Sequence, residues 1–177
     1  MRIIITLAAV LLVSLASGLE AQTRYLDRIF SEVGEPTTEV YGANVDVFLQ
    51  AVNNLEVDVY EPVGDTASSR PVVVIFPTGN FLLQYLNRGP YGSRRDSAVM
   101  EVVDRVVSRG YVGMVAEYRT GWLASSPEQE IRTSTLLQAA YRGGQDAHTL
   151  ARYLRKQVVE ADNPFGIDTS RIVYFGL

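Results

Sequence analysis

Pro71-Val-Val-Val-Ile-Phe76 leaves few folds open. It is a continuous, β-branched apolar run with no polar position, the pattern of a strand buried on both faces of a parallel sheet. Tyr111-Val-Gly-Met-Val-Ala116 and Ile172-Val-Tyr-Phe175 have the same character. Parallel strands need long crossovers, so the segments between these runs are expected to be helical. Upstream, Glu39 to Tyr41 and Val45 to Leu49 alternate as strands would, and Asn53-Asn54 signals a turn. Leu55-Glu-Val-Asp-Val-Tyr60 then alternates apolar and acidic positions, which predicts a half-buried strand with one wet face. Pro62 ends it, and residues 64–69 form a polar loop.

The intervening segments carry helical period. Val99, Val102, Val103, Val106 and Val107 form one apolar stripe, with Asp96 or Ser97 as the cap and Gly110 at the end. A longer helix is expected over about Thr133 to Val159, with Leu137, Ala140, Gly144, Ala147, Ala151, Leu154 and Val158 facing the sheet. Gly143-Gly144 weakens it by about 1 kcal/mol per Gly relative to Ala. Tyr25-Leu-Asp-Arg-Ile-Phe30 reads as a short amphipathic turn or helix. Strands, then strand, helix, strand, long helix and strand make one α/β domain with a largely parallel sheet and right-handed crossovers.

Residues 1–21 stand apart. Met1-Arg2 is positive, Ile3 to Ala16 is almost unbroken apolar, and Ser17 to Ala21 turns small and polar. That order is a secretory signal peptide cut after Ala21, although Leu19 is larger than the residue preferred at −3. The apolar run is shorter than the roughly 20 residues of a membrane span. The expected product is therefore residues 22–177, secreted or periplasmic, with no stable membrane anchor after signal removal.

Among 177 residues, 47% are hydrophobic and 20% charged, and the formal charge is −4. Nucleic-acid binding needs a concentrated basic face, and none is present. Cysteine is absent and His148 is the only histidine, which excludes disulfides, thiol nucleophiles and zinc-thiolate sites and leaves no expected metal or cofactor. No Gly-x-Gly-x-x-Gly follows Phe76 or Ala116, so a Rossmann dinucleotide domain is not indicated.

Four segments in order carry a resemblance. Val72-Val-Val-Ile-Phe-Pro-Thr-Gly-Asn-Phe81 stands where secreted carboxylesterase-like α/β-hydrolases have a strand followed by His-Gly-Gly-Gly-Phe. Arg109-Gly-Tyr-Val-Gly-Met-Val-Ala-Glu-Tyr-Arg119 is similar to their next strand, which ends in Asp-Tyr-Arg. Gln145-Asp146 with Ala151-Arg-Tyr-Leu154 resembles the following helix, and Asn163 to Gly176 resembles the loop and strand that lead into the nucleophile elbow. The likeness spans about Leu55 to Leu177. It implies an α/β-hydrolase-like, mostly parallel sheet with flanking helices, truncated after the strand before the elbow.

The resemblance further implies a serine-type hydrolase acting on small carboxylic esters. Its oxyanion donors would be the amides of Gly79 and Asn80, in a loop that keeps one Gly where the family has three. Family order is nucleophile, acid, His, all of which would lie beyond Leu177. The sequence as given is thus expected to be an inactive N-terminal fragment with no catalytic residue of its own. The rival reading is a non-catalytic binding module of the same fold, motivated by Pro77 in place of His. His148 precedes the elbow and is expected at the surface. Asp146 and Arg119 read as a buried structural pair, and Arg94-Arg95 as solvated or at a substrate mouth. Trp122, Tyr118 and Tyr141 read as core or rim aromatics. Glu117, Glu128 and Glu130 show no acid/base spacing, and Pro164 removes the glycosylation signal at Asn163.

Overall fold

The computed structural model describes residues 23–45, 50–83, 86 and 91–177. The expected signal peptide, residues 1–21, and most of the expected strand Val45–Leu49 lie outside them. Five strands form one sheet: β1 (Thr37–Val45), β2 (Val52–Tyr60), β3 (Arg70–Phe76), β4 (Val112–Ala116) and β5 (Ile167–Gly176). Two helices accompany them, α1 (Ser97–Val107) and α2 (Gln129–Glu160). The strand order is β1-β2-β4-β3-β5. β4, β3 and β5 are parallel neighbours, and β2 and β1 add antiparallel on the β4 side.

Alternation along β3 explains its unbroken apolar sequence. Val72 and Val74 join one core with Val112, Met114, Leu150 and Leu154, under α2. Val73 and Ile75 join the opposite core with Val115, Val99, Val103 and Val107, under α1. A strand covered by a helix on each face has no position to give to water. Gly113 lets α1 approach β4, because a Cβ there would meet Val107 Cγ2 at 2.7 Å. The α1 stripe is as expected, with Asp96 at the N-cap and Gly110 at φ 92° just past the end.

Three local expectations are corrected. Asn53 and Asn54 are inside β2, paired with Asn44 and Ala43, and do not form a turn. Neighbouring backbone supplies the hydrogen bonds that would otherwise favour a turn at two asparagines. The acidic side of β2 is wet only in part: Glu56 stays partly exposed, but Asp58 is 1% exposed, covered by Arg94 and by the Thr38 hydroxyl from β1. α2 starts at Gln129 and is rotated by about one residue from the apolar stripe. Its buried positions are Ala139, Asp146, Leu150, Ala151 and Leu154, while Leu137 is exposed. An ion pair that turns Asp146 inward sets that rotation. Tyr25 to Phe30 forms a turn whose anchors are backbone bonds to Ser108 and Arg109, with Leu26 exposed.

Candidate functional site

Crossovers leave β3 in both directions, through α1 to β4 and from β4 through α2 back past β3 to β5. The carboxyl ends of strands at such a switch point form a crevice where open α/β sheets place ligands. Here the crevice is a cavity of about 280 Å³. Pro77, Thr78 and Gly79 after β3, Glu117 to Thr120 after β4, and Arg94 before α1 line it, together with residues of β2 and Leu82 and Leu83.

The turn after β3 is held from behind. Tyr118 donates its hydroxyl to the Pro77 carbonyl at 2.9 Å. The Gly79 carbonyl accepts from Leu82 N–H at 2.8 Å, and the Phe81 carbonyl from Gly121 N–H at 2.6 Å. Trp122 donates its indole N–H to the Asn80 carbonyl at 2.9 Å. Phe81 packs edge-on against Tyr118 and lies over Gly143 of α2, where a Cβ would meet its ring at 3.3 Å.

These restraints hold an unusual backbone. Asn80 has φ 51° and Phe81 φ 56°, two consecutive left-handed residues that are not glycine. For a bulky side chain such a conformation is strained, and strain of this kind concentrates at functional sites. Because a trans peptide points its N–H opposite its C=O, tying the Gly79 carbonyl back turns the Asn80 amide the other way. Among the described residues neither the Gly79 nor the Asn80 amide has an acceptor. Gly79 is buried in the cavity wall, whereas Asn80 is exposed beside it.

β5 ends next to this turn. Gly176 pairs with Phe76, and the Leu177 amide donates to the Phe76 carbonyl at 3.2 Å. The last residue of β5 is therefore one position along the ladder from Pro77.

Asp146 and Arg119 do form the expected buried pair. Asp146 is fully buried, and its carboxylate takes the Arg119 guanidinium at 2.8 Å and the Arg119 backbone N–H at 2.8 Å. This pins the segment after β4 to α2. Two residues were underrated in the sequence. Arg94 is largely buried: it reaches Glu56 at 2.6 Å, Asp58 at 2.9 Å and Glu117 at 3.3 Å, so it is not a solvated arginine. Glu117 lines the cavity, and burial raises its carboxyl above the ordinary range, against the opposing pull of Arg94 and the Glu56 N–H. The alternation of Glu56 and Asp58 marked that side as charged, but nothing local shows that Arg94, 36 and 38 residues away, lies over it. His148 is exposed on the far side, in the groove between α2 and β5. Tyr141 is exposed too, apart from Trp122 and Tyr118.

No protein-family model matches the chain, and no curated protein matches it. Solved structures of esterase 2 from the planctomycete Thermogutta terrifontis do. The form phosphoramylated by tabun has a TM-score of 0.53 and 22% identity, covering 82% of this chain and 43% of that one. The butyrate-bound form has a TM-score of 0.51 and 22% identity, over 81% and 40%. The apo form gives 0.50 and 22%, over 82% and 42%. The fold is α/β-hydrolase-like. The chain spans less than half the length of those esterases.

Proposed function

We propose that this sequence is the N-terminal part of a secreted or periplasmic serine-type hydrolase that acts on small carboxylic esters by acyl transfer. The amides of Gly79 and Asn80 stabilise the tetrahedral oxyanion. The nucleophile, acid and histidine are supplied by polypeptide that follows Leu177, and residues 22–177 alone have no turnover. One observation carries this reading: the carbonyls of Pro77, Gly79, Asn80 and Phe81 are all engaged, while the two amides between them are left without acceptors beside the end of β5. Preorganised amides of this kind cost nothing to reorient as charge develops, and each donor is worth on the order of 3 kcal/mol in comparable sites.

The deciding experiment is 4-nitrophenyl ester hydrolysis by the full-length protein, before and after replacement of the nucleophile that follows Leu177. A loss of about a thousandfold or more is expected. Equal rates would favour a non-catalytic binding module of the same fold. Robust cleavage by residues 22–177 would remove the division of labour proposed here.

A further inference from the structure

We infer that this pocket takes esters whose acyl group is neutral or cationic and rejects those bearing a carboxylate, with Glu117 as the residue that sets the preference. The inference rests on the hydrolase reading above and names the substrate class of that same site.

Among the described residues, the two cations that line the cavity, Arg94 and Arg119, are already matched. Arg94 is shared among Glu56, Asp58 and Glu117. Arg119 holds Asp146 with its guanidinium and its backbone N–H. Arg95 is mostly exposed and only 3.9 Å from Asp58. Among the described residues of these ion pairs, three guanidiniums against four carboxylates leave one negative charge in excess.

Of the four carboxylates, Glu117 is the one in the cavity wall. It cannot easily swing away. Arg94 holds one oxygen, the Glu56 amide donates to the other at 3.4 Å, its own amide donates to the Glu56 carbonyl at 2.9 Å, and Tyr41 donates to its carbonyl. An incoming carboxylate would have to break the Arg94 or Arg119 pairs to gain a partner, and otherwise meets Glu117 as a like charge.

The test uses the full-length protein and a matched pair of substrates, 4-nitrophenyl butyrate and the 4-nitrophenyl monoester of succinic acid. The neutral ester should have the higher kcat/KM by about tenfold, the scale of one like-charge contact at intermediate dielectric. Glu117→Gln should narrow that ratio several-fold and Glu117→Asp should largely restore it. Glu101→Gln, the same charge change on the exposed face of α1, should leave the ratio where it was. Equal or better use of the succinate ester by the unaltered protein, or a ratio unmoved by Glu117→Gln, overturns the inference. Should neither ester be hydrolysed, the hydrolase reading fails by itself. The charge preference is then decided by NMR titration with butyramide and succinamate, read at the Gly79 and Asn80 amides. Tighter butyramide binding supports it, and succinamate binding equally well overturns it.

Discussion

The two ends of the parallel sheet use the same chemistry, arginine against carboxylate, to opposite effect. At the amino ends of β3 and β5, Arg70 contacts Glu61 and Asp65 and donates to the Phe165 carbonyl at 2.6 Å, while Arg24 closes on Asp65 from the other side. Burial alone would raise the Asp65 carboxyl, but hydrogen bonds from Arg24 and the Ala67 amide, with the charges of Arg24 and Arg70, hold it below its ordinary value. At the carboxyl ends, Arg94 faces three carboxylates and Glu117 is pushed upward. One end is paired for stability. The other retains imbalance and left-handed backbone around an open cavity, which is what a binding site requires.

The sharpest way to break this contrast is at Asp65. Asp65→Ala leaves Arg24 and Arg70 facing each other without their shared anion, and should cost about 3–5 kcal/mol in urea unfolding. A loss below 1 kcal/mol would mean that the amino end is not the stabilised one. Gly113→Ala, in the layer between the two ends, should cost about 1–3 kcal/mol by forcing Val107 and α1 outward, measured the same way.

At the site end the effects should be smaller. Trp122→Phe removes the donor to the Asn80 carbonyl and should cost about 1 kcal/mol in stability. It should also increase hydrogen exchange at the amides of residues 79–81. The pH dependences of the two ends should oppose each other. The contribution of Asp65 is present above its ordinary pKa of 3.8 and lost as pH falls through its depressed folded value. Glu117 is raised, so its favourable contribution is complete below 4.5 and lost as pH rises through the folded value. Glu117→Gln should therefore gain on the unaltered protein as pH climbs from 4 to 8, by under about 1 kcal/mol because the group is partly exposed. Thermal melts across that range would show a gain in the reverse direction if the assignment is wrong.

Much of the fold was legible because its signals are local. The Val-rich run at 71–76, the stripe Val99, Val103, Val107 and the glycine ending it each report on a few neighbouring residues, and backbone period does the rest. The Asp146–Arg119 pair was expected from the segments that carry the family resemblance, and the structure forms it. The rotation of α2 was not, because an apolar stripe ranks Asp146 as an outward position. The Asn53-Asn54 turn signal lost to strand pairing with residues 43 and 44.

Sequence alone therefore determined the alternation of strands and helices, the double burial of β3, and the position of the turn at 77–81. Only tertiary structure decided which charges meet: Arg94 over β2 and β4, Arg24 and Arg70 on Asp65, and Trp122 and Gly121 tying down the carbonyls that free two amides. The reason is physical. Hydrophobic period is written in adjacent residues, whereas the worth of an ion pair or a backbone donor depends on a partner tens of residues away and on how much water the fold leaves between them.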